Sequence, residues 1–185
     1  NVNAITIDWG ATAGIYTVRV DVTRSCGVPD FQTLSVTVRG PIISNGTGGG
    51  NWALPATWIG GVVPTALDYA VIQVGVGDIV TMNGNPGACY KLTINGTAQF
   101  SIANRTTNVG NGGIVINSTG DITGAGATTV LTTTGGITGI GNAGITSTIV
   151  DIRVQTTVGQ NITSDGFFRR LTINANANNT GTIII

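Results

Sequence analysis

Short stretches in which apolar and polar residues alternate run along the chain, separated by Gly, Asn and Pro. From Tyr16 to Val22 every second residue is apolar, which is the period of a strand with one buried face. The same alternation predicts strands at Ala4–Trp9, Gly14–Val22 and Phe31–Val38. No window has the apolar spacing of an amphipathic helix. The pattern therefore predicts an all-β protein with little or no helix.

From Asp68 onward, strand-like stretches recur at intervals of about 20 residues, which is typical of stacked coils in a repeat protein. The apolar residues that anchor these repeats are Ile72, Leu92, Val115, Leu131, Ile152 and Leu171. An antiparallel sandwich would also give short strands separated by turns. The recurrence of apolar residues followed by Asn or Thr favours a parallel β-helix, whose coils bury their inward residues by stacking.

Two details of the repeats can be checked against a structure. Asparagines follow three of the stretches, where they are expected to turn the chain and to hydrogen-bond along the stack; they are Asn95, Asn117 and Asn174. The alternation also assigns inward and outward positions. Ile94, Ile116 and Ile173 are predicted to face the core, and Thr93 and Thr172 to face outward.

Four short segments stand out in the first part of the chain: Trp9-Gly10, Ala13–Val18, Ser25–Gly27 and Leu34–Val38. They resemble the closing strands of the Ig-like or PKD-like modules found in large secreted proteins of Bacteroidetes-type bacteria. A complete sandwich of this kind has about seven strands, whereas this region predicts three. The string N-W-x-x-P-x-T-W-x-G-G-x-x-P at Asn51–Pro64 resembles the opening segment of β-helical modules. The expected fold is an incomplete Ig/PKD-like antiparallel sandwich followed by a parallel β-helix.

The resemblance implies a domain organisation and a role. Residues 1–39 are expected to be the C-terminal strands of an Ig/PKD-like module, residues 40–67 a Gly-rich hinge with a Trp-containing cap, and residues 68–185 the coils of a β-helix. The implied route is export by a type IX-like secretion system to the bacterial cell surface. The implied function is that of a non-catalytic structural or adhesive module, serving adhesion, surface motility or filament assembly.

Composition removes several function classes. Among 185 residues only 9% are charged, with eight Lys and Arg balanced by eight acidic residues, and there is no His. Without His, His-based relays and His metal sites are excluded. Without a basic excess, there is no electrostatic footprint for nucleic acid. No apolar run approaches the roughly 20 residues of a membrane-spanning helix. No cofactor or metal site is expected.

An enzyme of the β-helical polysaccharide lyase or hydrolase type is the first alternative. A glycosidase needs two carboxylates beside a cleft, and the aspartates that could supply them are isolated in sequence: Asp78, Asp121, Asp151 and Asp165. The second alternative is binding to ice or to a crystal surface, which needs regular T-x-T ranks. The Thr clusters of this chain do not recur in register, so both alternatives rank below the adhesive role.

The tryptophans of the Asn51–Pro64 string are the candidate ligand-contacting residues. Trp52 and Trp58 could form a platform on which sugar rings stack, or they could plug the open end of the stacked coils. The second interpretation is favoured, because no polar side chains converge on the pair. Cys26 and Cys89 fall in different predicted parts, and their pairing as a disulfide is left open.

Both ends of the chain predict a partner. Ile5 and Ile7 belong to strands that cannot close a sandwich, and the chain ends on Ile183, Ile184 and Ile185. Exposed strand edges of this kind pair with other strands. The expected partners are neighbouring modules of a longer chain or copies of the same chain arranged head to tail, and surface glycans. An isolated chain is not expected to be a well-behaved monomer.

Overall fold

A computed structural model describes residues 12–22, 30–47, 49–73, 78–82, 87–103, 105–117, 120–125 and 130–139. It also describes the backbone of 151–156, 162–163, 170–175 and 183–184. The chain divides into two compact units, Asn1–Gly40 and Pro41–Ile185.

The first unit contains an antiparallel pair of strands, β1 (Gly14–Val22) and β2 (Asp30–Val38). The alternation predicted the bounds of β1 and placed the start of β2 one residue too late. Tyr16 pairs with Val36 and Val18 with Leu34, so one face of the pair is apolar. The opposite face carries an ion pair between Arg19 and Asp21, 2.6 Å apart. The predicted strand Ala4–Trp9 lies outside the described residues.

The described residues of the second unit form short strands and two single-turn 3-10 helices, Pro55–Thr57 and Ile59–Gly61. In chain order, the first of these strands are β3 (Ile42–Ile43), β4 (Gly50–Asn51), β5 (Tyr69–Ile72), β6 (Ile79–Met82), β7 (Ala88–Ile94) and β8 (Gln99–Ala103). They continue with β9 (Thr106–Ile116), β10 (Asp121–Ala125), β11 (Val130–Thr133), β12 (Ile137–Gly139), β13 (Asp151–Thr156), β14 (Ile162–Thr163), β15 (Arg170–Ala175) and β16 (Ile183–Ile184). Neither 3-10 helix has the length or the apolar character of a membrane span.

These strands form two sheets in which every pairing is parallel. The four-stranded sheet has the order β10-β8-β6-β4. In the ten-stranded sheet β3, β5, β7 and β9 pair in succession. Beyond β9 the sheet divides, because β9 pairs with β11 through its first half and with β12 through its last residues. The branches continue through β13 and β15 and through β14 and β16.

One hydrophobic core holds the two parallel sheets together. Its members stack in columns, because residues of like character are paired in register. Ala70, Leu92, Ile114 and Ile137 form one column of the ten-stranded sheet, and Val80, Phe100 and Ile122 form one of the four-stranded sheet. All seven are buried members of the same cluster. Ile94 and Ile116 are fully buried, as predicted, whereas the side chain of Ile173 lies outside the described part.

An asparagine turn separates the strands of the two sheets. Asn95 directly follows β7, and Asn117, 22 residues later in the chain, directly follows β9. Asn117 Nδ2 donates a hydrogen bond to Asn95 Oδ1 at 2.8 Å. Gly96 follows with a φ of +60°, a conformation that favours glycine. The expected stacking is therefore confirmed for Asn95 and Asn117. The expected turn is wrong for Asn174, which lies within β15 and pairs with Gln155, and the side chain of Asn174 lies outside the described part.

The expected fold, an incomplete Ig/PKD-like sandwich followed by a parallel β-helix, is wrong. The described residues contain two parallel sheets and a small antiparallel pair. The repeated segments are divided between the two sheets, because the predicted turn at Asn95 separates β7, which ends at Ile94, from β8, which begins at Gln99 in the other sheet.

The segment expected to be a Gly-rich hinge and Trp-containing cap, residues 40–67, belongs to the second unit from Pro41 onward. Within it, β3 pairs with β5, and β4 pairs with β6. A Cβ atom on Gly50 would collide with Thr57 Oγ1, and one on Gly49 with the carbonyl oxygen of Ile79. Close packing therefore requires glycine at these two positions.

The core columns give a direct test. Replacing Ile116 by Asp buries an unpaired carboxylate in the cluster, and we expect the free energy of unfolding to fall by at least about 3 kcal/mol. Thr138→Asp is the matched control, since Thr138 is exposed and lies in a strand that pairs with the same stretch of β9. Urea unfolding followed by circular dichroism measures both variants. Equal unfolding midpoints for Ile116→Asp and the wild type would contradict the core assignment.

Candidate functional site

Trp52 and Trp58 lie in the core. Each is 2% exposed, and their rings meet edge to face with centroids 4.9 Å apart. Trp58 Nε1 donates to the carbonyl oxygen of Trp52 at 2.8 Å, and the Trp52 ring also contacts Phe100. Neither indole presents a face on which a sugar ring could stack. An open, largely apolar cavity of about 330 Å³ borders Trp52 beside Pro64 and Gly87.

The other residues singled out from the sequence are dispersed. Ile5, Ile7 and Ile185 lie outside the described residues, and β16 contains Ile183 and Ile184, which pair with β14. Asp78 is fully buried, and its Oδ2 accepts a hydrogen bond from Ser44 Oγ at 2.6 Å. Asp121 begins β10, Asp151 begins β13, and Asp165 is not described. Within the described ranges no cluster of acidic residues or cysteines is suited to bind a metal.

A β-bulge in β7 places two outward-facing side chains next to each other. The pairing with β9 shifts between Cys89 and Lys91, and the backbone N–H groups of Tyr90 and Lys91 both point to the carbonyl oxygen of Asp68, at 2.7 and 3.4 Å. A bulge of this kind turns two successive side chains toward the same side of a sheet. Cys89 and Leu92, on either side, are buried. Tyr90 and Lys91 therefore both lie on the outer face.

Glycines of the neighbouring strand β9 support the Tyr90 ring. A Cβ atom on Gly112 would lie 2.6 Å from Lys91 Cβ and 2.8 Å from Tyr90 Cε1, closer than real Cβ contacts. A Cβ on Gly110 would also be in tight contact with the Tyr90 backbone. The ring therefore rests against bare backbone, while 48% of the residue remains exposed. Any larger residue at position 112 would displace it.

Lys91 lies between two tyrosines. Its Nζ is 4.9 Å from the centroid of the Tyr69 ring, a cation–π contact. The Tyr69 hydroxyl and Thr93 Oγ1 are 3.1 Å apart, which fixes the ring beside the ammonium group. Among the described residues, an ion pair joins Arg19 to Asp21, whereas no carboxylate forms an ion pair with Lys91. We call Tyr69, Tyr90, Lys91 and Thr93 the tyrosine–lysine patch.

This patch was not among the sites predicted from the sequence, although two signals for it were present. The run Cys89-Tyr90-Lys91-Leu92 has two outward-type residues between two inward-type ones, which breaks the period of two and indicates a bulge. Gly110, Gly112 and Gly113 then follow in the next strand. Isolated glycines within a strand often mark a close approach of other groups.

Cys89 lies directly beneath the patch and is a free, buried cysteine. Burial raises the pKa of its thiol to about 12, and the negative charge of Asp68 adds to the increase. Asp68 Oδ2 is held by the backbone N–H of Thr65 at 2.9 Å and by the Thr65 hydroxyl. The Cys89 thiol is therefore protonated at neutral pH and shielded from reagents. Cys26, its possible partner, lies outside the described residues.

The raised pKa of Cys89 predicts a loss of stability in alkali. The folded state binds the thiol proton more tightly than the unfolded state, whose pKa is near the ordinary 9.0. The stabilisation is therefore complete below pH 9 and is lost as the pH rises toward 12. In a Cys26→Ser background, we expect Cys89→Ala to weaken the fall in urea midpoint between about pH 8 and about pH 11. An identical fall in both proteins would contradict a buried thiol at position 89.

Comparison with known protein families, with curated proteins and with solved structures gives no match to this chain. The resemblance to modules of Bacteroidetes-type surface proteins therefore stays a prediction. The tyrosine–lysine patch is the feature from which a function can be argued.

Proposed function

We propose that this chain is a non-catalytic structural and adhesive module of a long extracellular protein, and that the tyrosine–lysine patch is its contact with surface glycans. One observation carries the proposal. Tyr90 is nearly half exposed, yet its ring is held in place by a bulge on one side and by the glycines of β9 on the other. Large exposed aromatic rings with fixed positions favour contact with the apolar face of a ligand.

The support beneath Tyr90 makes binding more favourable. Ordering a mobile side chain at an interface opposes binding by about 0.5–1.5 kcal/mol. The backbone of Gly112 already restricts the Tyr90 ring. A sugar ring stacking on it would therefore lose little of its binding energy to ordering. A ring held in this way is more favourable for binding than an exposed ring that is free to move.

The scaffold supports a structural role as well. The patch lies on β5 and β7, whose inward residues Ala70, Ile72, Leu92 and Ile94 are completely buried. Every strand of this region pairs in parallel with a neighbour on each side, so the patch rests on a continuous sheet. A location outside the cell, on the bacterial surface, rests on the resemblance of Asn51–Pro64 to surface-protein modules.

The proposal predicts that Tyr90→Ala weakens polysaccharide binding about tenfold, because the stacking surface is removed. Phe31→Ala is the matched control, since Phe31 is an aromatic residue of similar exposure, 52%, in the first unit. Affinity electrophoresis against neutral and acidic polysaccharides, and adhesion of coated beads to surfaces bearing them, measure the effect. Thermal melting of both variants verifies folding. Equal losses in the two variants would contradict the assignment to the patch.

A further inference from the structure

We propose that the patch recognises an acidic polysaccharide, with the Lys91 ammonium group binding the carboxylate of a uronic acid whose ring stacks on Tyr90. This inference rests on the proposed function and names its ligand class. It begins from the one cation of the patch, which is also the single lysine of the sequence.

The electrostatics of the patch favour an anionic ligand. Lys91 is partly exposed and has no carboxylate partner among the described residues. Asp68, whose carbonyl oxygen faces the backbone N–H of Lys91, is 5% exposed, and its carboxylate is engaged with Thr65. The face of Tyr69 stabilises the charged ammonium group without neutralising it. The positive charge therefore remains available to a ligand carboxylate.

The base of the Lys91 side chain lies beside the Tyr90 ring. A Cβ atom built on Gly112 would lie 2.6 Å from Lys91 Cβ and 2.8 Å from a ring carbon of Tyr90, so the two side chains are adjacent. In a uronic acid, the carboxylate is attached directly to the pyranose ring. We therefore expect one sugar residue to stack on Tyr90 and to bring its carboxylate to the ammonium group at the end of the flexible Lys91 stem.

Other ligands would use only part of the patch. A neutral sugar would stack on Tyr90 but would make no charge-assisted contact with the ammonium group of Lys91, so it would gain less binding energy. An acidic peptide would pair with Lys91 but offers no sugar ring to Tyr90. The chain as a whole has a formal net charge of zero, so attraction of a polyanion depends on local contacts.

The test measures the affinity of the full chain for matched polymers. Polygalacturonate and alginate supply uronic acids, fully methyl-esterified polygalacturonate has the same sugar rings without the charge, and poly-L-glutamate has carboxylates without sugar rings. We expect the wild type to bind the two uronic acid polymers at least about tenfold more tightly than the ester or poly-L-glutamate. Added salt should reduce this preference, because the contact is electrostatic.

Variants assign the preference to Lys91. Lys91→Met keeps the length of the side chain without its charge, and we expect it to bind acidic and esterified polymers equally. Lys91→Arg keeps the charge and should retain the preference. Arg105→Met is the control, since Arg105 is an exposed cation of the second unit outside the patch, and it should leave the preference unchanged.

The outcomes separate this inference from the proposed function. Equal binding of acidic and esterified polymers, with a loss in Tyr90→Ala, would overturn the acidic ligand and leave the adhesive role standing. Binding of poly-L-glutamate as tightly as polygalacturonate would overturn the sugar assignment. A preference that survives Lys91→Met would overturn the role of Lys91. Failure of the wild type to bind any polysaccharide, neutral or acidic, would overturn both proposals.

Discussion

Parallel pairing in register is the constraint on which the second unit depends. Ala70 pairs with Leu92 and Leu92 with Ile114, so an inward residue always lies beside another inward residue. Because side chains alternate between faces with a period of two, a shift of one residue would move a whole column out of the core. The hydrogen bond between Asn117 and Asn95 repeats this register at the turn. The core residues, the turns and the outward residues are therefore all consistent with one alignment of β5, β7 and β9.

The bulge in β7 is the exception to this alignment, and the candidate site results from it. An undisturbed strand would turn Tyr90 inward, where Cys89 and Leu92 are already buried. The bulge turns Tyr90 outward beside Lys91, and Asp68 receives both backbone N–H groups at the carbonyl oxygen. Burial and, to a lesser extent, the charge of the same Asp68 raise the pKa of the Cys89 thiol. The exposed residues Tyr90 and Lys91 and the buried Cys89 thus all interact with Asp68 at this bulge.

The sequence predicted local features better than their arrangement. The alternation in Gly14–Val22 located β1, and the asparagines after two apolar stretches located the turn at Asn95 and Asn117. Asn174 follows a similar stretch but lies in a strand, because the choice between turn and strand depends on the neighbouring strand β13. The four-stranded sheet was missed since β8 follows β7 after a short turn and continues its apolar character. Pairing partners are distant in sequence, and no local pattern contains them.

The division of the ten-stranded sheet at β9 has a consequence for how such chains change in length. Within the described residues, β9 pairs with β7 on one side and with both β11 and β12 on the other. Gly113, with a φ of +71°, lies between the two paired halves. An insertion at this point would shift one branch against the other, so a change of length within β9 disturbs both branches of the sheet.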